Sequence, residues 1–197
     1  MNVSRLRLSL FLVLPLLALG CAGSGLPRDK AEETEATIKS NLAKLDPADR
    51  ESAEDQKFCA VQTENRLGIM GKPIKVTIKD EPVFLCCKGC EKTAKQDPDK
   101  TLARAEELRI RTALAQLDPA DRKLAEEQKY CATDPERQPE NRLGMMGKPI
   151  KIMLKGQPVF LCCAGCKKTA REDPDKTLED VKKIKAANAA AKEKDHD

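Results

Sequence analysis

The stretch Lys75-Val-Thr-Ile-Lys-Asp-Glu-Pro-Val-Phe-Leu-Cys-Cys-Lys-Gly-Cys90 decides the fold. Lys75 and Lys79 flank the β-branched run Val76-Thr77-Ile78 before Asp80-Glu81, and Pro82-Val-Phe-Leu85 follows, which predicts a β-hairpin turning at Asp80-Glu81. The hairpin runs straight into Cys86, Cys87 and Cys90. Beyond them Cys90 to Gln96 is helix-forming, and Asp97-Pro98 supplies an N-cap and first-turn proline for a helix that could continue to Leu117. A helix of about twenty residues would be roughly 30 Å long and would tie two modules together as a rod.

Two modules are expected because the sequence repeats. Pro82-Val-Phe-Leu-Cys-Cys-Lys-Gly-Cys90 returns as Pro158-Val-Phe-Leu-Cys-Cys-Ala-Gly-Cys166, with Lys155-Gly156 at the second hairpin turn. Asp97-Pro-Asp-Lys-Thr-Leu102 returns unchanged at 173–178, Leu45-Asp-Pro-Ala-Asp-Arg50 at 117–122, and Asn65-Arg-Leu-Gly68 at 141–144. The offset grows from 72 at Cys131 to 76 at Cys162, which puts a four-residue insertion in the loop 133–139 of the second copy. Asp46-Pro47 predicts a capped short helix ending near Gln56, with Asp49 placed for a capping box. Residues 29–44 mirror the end of the linking helix, since Ile38, Leu42 and Leu45 map onto Ile110, Leu114 and Leu117. The expected architecture is α+β, two small hairpin-plus-helix modules joined and flanked by helices. Its parts are a signal peptide at 1–20, a tether at 21–35, repeat 1 at 36–108, repeat 2 at 109–185 and a charged tail at 186–197. The alanine- and lysine-rich end from Lys182 is expected to fray.

The first residues read as an export signal: Arg5 and Arg7, an apolar run from Leu8 to Leu19, then Gly20-Cys21. Ala18-Leu19-Gly20-Cys21 resembles the bacterial lipobox, which implies lipidation of Cys21 and a lipid-anchored protein facing the periplasm or cell exterior; an uncleaved N-terminal anchor is the alternative. The formal charge of +4 falls to +2 once Arg5 and Arg7 are removed. So balanced a surface argues against nucleic acid as a partner. With 3% aromatic residues and no tryptophan, the modules cannot build a large core.

Nine cysteines, less Cys21, leave two sets of four: Cys59, Cys86, Cys87 and Cys90, and Cys131, Cys162, Cys163 and Cys166. A strand-to-helix turn brings cysteines three or four apart onto one face, where a helix start favours thiolate, and a distant cysteine closes the site from a second loop. Such a cluster suits a soft ion, zinc or copper(I), at one per repeat. No histidine lies in either module and no carboxylate recurs beside the cluster, so hard ions such as magnesium or calcium are poorly matched. Met70 and Met146 are read as packing, with a copper(I) thioether ligand as the alternative.

The pattern of Cys59, a long spacer, then Cys86 and Cys90, with Phe84 before and Asp97-Pro98 after, resembles the TRASH and YHS group of metal-binding modules. The resemblance covers about 40 residues per copy. It implies a treble-clef-like hairpin and helix, a role in heavy-metal sensing, trafficking or resistance, and metal ligation by Cys59, Cys86 and Cys90, and by Cys131, Cys162 and Cys166. This chain departs from the group in its spacers of 26 and 30 residues, in lacking the tyrosine-histidine-serine signature, and in the extra Cys87 and Cys163.

Two other readings stay open. Small exported modules are often stapled by disulfides. Cys87/Cys90 and Cys163/Cys166 also form Cys-x-x-Cys pairs of the kind used in thiol redox chemistry, though without a βαβ context. Hydrolysis is disfavoured, because the sole histidine, His196, lies in the charged tail, and an enzyme is not expected. The lysines 72, 75 and 79, matched by 148, 151 and 155, read as the solvated face of the hairpin.

Overall fold

The computed structural model describes residues 28–194; the expected export signal, Cys21 and His196 lie outside this range. The first copy runs through α1 (Arg28–Leu42), α2 (Pro47–Gln56), β1 (Ile74–Ile78), β2 (Glu81–Leu85), a 3-10 turn (Lys88–Cys90), α3 (Glu91–Gln96) and α4 (Pro98–Leu114). The second continues with α5 (Pro119–Gln128), β3 (Ile150–Leu154), β4 (Gln157–Leu161), α6 (Cys166–Glu172) and α7 (Pro174–Lys194). Over the described residues the architecture is α+β, seven α-helices with two separate antiparallel hairpins.

Each hairpin closes through a two-residue turn, with Ile78 paired to Glu81 and Leu154 to Gln157. Lys79 and Asp80 both have positive φ, 48° and 67°. A two-residue turn matches the twist of its strands only with both central residues left-handed, so the first turn lies at Lys79-Asp80, one residue earlier than the sequence suggested. Lys155 and Gly156 take the same place in the second copy, as expected.

Apolar strand residues and cysteines build two small cores. Val76, Ile78, Val83, Phe84, Leu85 and Cys86 join Ile38, Leu42 and Leu45 in the first; Ile152, Leu154, Val159, Phe160, Leu161 and Cys162 join Ile110, Leu114 and Leu117 in the second. The mirrored triplets therefore do the same work. The linking helix is more than a bare rod: α4 contributes Ala105 to the first core, and Ile110 and Leu114 to the second. The C-terminal end is helical through Lys194 where fraying was expected, because Val181 and Ile184 are buried and Asn188 donates to the Glu127 and Gln128 carbonyls at 3.2 and 3.0 Å. Those bonds satisfy the end of α5, whose last carbonyls have no partner within the helix.

Asp46 and Asp118 occupy the N-cap positions without a side-chain cap bond. The capping-box expectation fails because Asp49 turns outward to Lys75 Nζ at 2.6 Å, as Asp121 does to Lys151 at 2.6 Å. Lys79 and Lys155 pair with Asp99 and Asp175. Two lysines in each hairpin thus tether it to flanking helices instead of simply facing water, although exposed pairs contribute at most about 1 kcal/mol each.

Close packing constrains one glycine in each copy. Gly68 has φ +92° and a Cβ there would lie 2.9 Å from the Ile38 carbonyl oxygen; Gly144 has φ +98° and would meet the Ile110 carbonyl oxygen at 3.0 Å. Gly71 also has positive φ, +112°, but open space around it. Gly71→Ala is expected to cost about 1 kcal/mol of backbone strain, and Gly68→Ala about 2–3 kcal/mol because the backbones must also separate. Urea denaturation of the two variants separates these contributions.

Candidate metal centre

Cys59 is placed by a tight loop. Lys57, with φ 63° and ψ −38°, ends α2 in a γ-turn in which the Phe58 N–H donates to the Gln56 carbonyl at 2.7 Å. Phe58 then bridges Arg66, and Cys59 N–H donates to the Asn65 carbonyl at 2.9 Å. Lys129, Tyr130 and Cys131 repeat this, Cys131 N–H donating to Asn141 at 3.0 Å. Cys86 follows β2 directly, and Cys90 closes the 3-10 turn after it.

These elements bring three sulfurs together twice. The Sγ atoms of Cys59, Cys86 and Cys90 lie within 4.8 Å of one another, as do those of Cys131, Cys162 and Cys166. Each triad is therefore close enough to hold a metal ion. The Cys86 and Cys90 sulfurs are 3.8 Å apart, and those of Cys162 and Cys166 3.6 Å. A zinc–sulfur bond of about 2.3 Å puts tetrahedral ligand sulfurs about 3.8 Å apart, so the spacing fits a shared ion. It is far from the roughly 2.05 Å of a disulfide, and all eight described cysteines are free thiols.

Cys87 and Cys163 stand outside the mutual sets. Each is half-buried and lies at the rim, Cys87 at 3.9 Å from Cys90 and Cys163 at 3.5 Å from Cys166. Met70 and Met146 are 60% and 64% exposed, which overturns their reading as packing residues. They occupy turns between permissive glycines and belong to no core.

Several residues that shape the centre were not singled out from the sequence. Gln56 is fully buried; its amide nitrogen donates to the Phe84 and Phe58 carbonyls at 2.6 and 2.8 Å, and its oxygen accepts from Phe84 N–H at 3.0 Å. Gln128 makes the same three bonds to Phe160 and Tyr130. The glutamine thus serves as a surrogate strand along the edge of β2 that leads to the cysteines. Gln62 N–H points to Cys59 Sγ at 3.3 Å, and Asn65 Nδ2 to Cys86 Sγ at 3.9 Å. In the second copy the insertion changes these donors: Thr133 Oγ1 lies 3.3 Å from Cys131 Sγ, and Asn141 turns to the Cys131 and Asp134 carbonyls. The recurrence of glutamine at 56 and 128 and asparagine at 65 and 141 was the available signal.

Burial pushes the Cys86 thiol up and the Cys90 thiol well up, and the neighbouring Cys59 sulfur adds to both; Cys162 is raised likewise by burial and by Cys131, and Cys166 by burial. Cys87 moves the other way, chiefly through the Gly89 backbone amide, and Cys163 through that of Cys166. Burial is the largest single influence on Cys131 and opposes its ionisation, but hydrogen bonds from Thr133 and Cys162 together outweigh it and the thiol is lowered. The 3-10 turn and six-residue α3 are too short for a large dipole, so these local N–H groups carry the effect.

The sign of the pH dependence follows. Thiols raised above 9.0 keep protons in the folded chain that the unfolded chain loses, so their contribution is intact below about pH 9 and lost as pH rises beyond it. The lowered thiols oppose this, but burial of the triads dominates. The reduced, chelator-treated protein is expected to show a lower urea midpoint at about pH 9.5 than at about pH 7, while a metal-loaded sample, whose ligands are already thiolates, shows little change.

No family model, curated protein or solved structure matches this chain. Among the described residues no helix is long and apolar enough to cross a membrane.

Proposed function

We propose that this protein binds a soft d¹⁰ metal ion, zinc or copper(I), at one ion per module, and that it sequesters, relays or senses that ion as an exported lipoprotein anchored through Cys21. The observation that carries this reading is the convergence of three thiols in each copy, with neither carboxylate nor histidine in the triads. Thiolate ligands without oxygen donors select soft ions over magnesium or calcium. The resemblance to TRASH and YHS modules points the same way and uses the same six cysteines. No catalytic step is assigned; the ion is cargo or signal. Two sites on one chain raise local capacity and allow an ion to pass between modules.

The test is metal content and free-thiol titration of the mature protein, purified anaerobically without added metal, followed by cobalt(II) substitution. About two ions per chain and intense thiolate-to-cobalt absorption support the reading. Absence of metal together with eight oxidised cysteines sinks it.

A second reading has an observation of its own. Cys87 is accessible with a lowered thiol pKa while Cys90, 3.9 Å away, is buried with a raised one, which is the division of labour of a thiol–disulfide redox pair. Catalysed reduction of a protein disulfide, lost in Cys87→Ser, Cys163→Ser, would favour it over metal handling.

A further inference from the structure

We infer that Cys87 and Cys163 are exchange ligands, the solvent-side thiols through which each triad takes up and surrenders its ion. The inference rests on the metal reading above and adds the route by which the ion moves. Cys59 and Cys86 are 0% and 1% exposed, so no outside ligand reaches an ion held on that side. Cys90 faces both ways, with its Sγ 3.8 Å from buried Cys86 and 3.9 Å from half-buried Cys87. Cys166 holds the same position, 3.6 Å from Cys162 and 3.5 Å from Cys163.

Adjacent cysteines at a strand end acquire these different roles because the extended backbone of Cys87, φ −157° and ψ 166°, continues the strand's alternation of side chains. The one-turn helix then folds Cys90 back between them. Exchange needs no large motion: a metal–sulfur bond to Cys87 forms as its thiol releases a proton, and the bond to Cys90 breaks as that sulfur takes one up. No electron is transferred. The ion is then held by a rim thiolate that an incoming thiolate or chelating acceptor can displace. A fourth ligand of a closed structural site would lie within mutual reach of the triad, whereas this thiol stands outside the set of three in both copies.

The experiment loads the full-length protein with zinc alone and follows its transfer to an excess of a chromogenic chelator. The Cys87→Ser, Cys163→Ser variant is expected to retain about two zinc ions per chain and to transfer them about tenfold more slowly or worse than wild type. An unchanged rate overturns the inference. So does a metal content as low as that of a Cys90→Ser, Cys166→Ser variant, which would make Cys87 and Cys163 structural ligands. Wild type that binds neither zinc nor, in a parallel anaerobic loading, copper(I) refutes the metal reading itself, a distinguishable failure. Limited alkylation of zinc-loaded wild type gives a second measure without substitution. Mass spectrometry should find Cys87 and Cys163 modified before the six triad cysteines, with zinc retained and its transfer slowed; equal modification of these eight overturns the proposal.

Discussion

Replacing Cys90 and Cys166 together with serine is expected to lower the metal content from about two ions per chain to near zero. Cys90 is the only cysteine of the first module within hydrogen-bonding reach of both Cys86 and Cys87, and Cys166 plays that part in the second. Serine removes the soft donor, and its hydroxyl does not ionise at neutral pH, leaving two buried sulfurs and a rim thiol outside their mutual reach, too few to retain the ion. The loss extends to stability, because an ion bound only by the folded state stabilises it by RT ln(1 + [L]/Kd), about 4 kcal/mol at a thousandfold excess over Kd. Chelator should therefore lower the thermal midpoint of wild type by several degrees and leave the variant unmoved. Single substitutions should also reveal that the two sites differ. Cys90 is buried and Cys166 half-buried, so Cys90→Ser leaves an ion that chelator removes faster than the one left by Cys166→Ser. Equal rates would show that burial of this sulfur does not control release.

Gln56→Leu is expected to destabilise the first module by about 3–5 kcal/mol, a large fraction of what a small domain possesses. The side chain is close in volume to leucine, so no substantial cavity forms. The cost arises from polar groups left without partners: the Phe84 N–H loses its acceptor and the Phe84 carbonyl its shortest donor, both inside the core. Each such orphan costs about 1–3 kcal/mol. Gln128→Leu should act alike on the second module through Phe160. Urea unfolding by circular dichroism reads the loss. Because β2 carries Phe84 into Cys86, zinc affinity of that module should fall in parallel. A variant that unfolds at the wild-type midpoint would mean that Ala60, whose N–H also reaches the Phe84 carbonyl at 3.4 Å, suffices.

Much of the protein was legible before any coordinates. The duplication, both hairpins, helices after Asp46 and Asp97, and the pairing of Ile38 with Ile110 follow from local pattern, because strand alternation, proline position and core periodicity are properties of neighbouring residues. The three cysteines of each triad were in hand as well, though within a set of four. Misplaced readings had nonlocal causes. The first turn shifted by one residue because register is set by closing the two-residue turn, Asp49 left its cap for Lys75 across the module, and the alanine-rich end stayed helical because Asn188 found the end of α5.

By itself the sequence determined that there are two like modules, where each hairpin begins and ends to within a residue, and which sulfurs lie near one another along the chain. Only the tertiary structure decided that Cys59 and Cys131 meet the others, that Cys87 and Cys163 remain at the rim, and that Gln56 and Gln128 serve as backbone partners. The physical reason is range. Hairpin and helix are chosen by residues within a few positions of each other, whereas a site closed across 26 or 30 residues depends on how a γ-turn, a buried amide and a shared helix bring separate loops to one point.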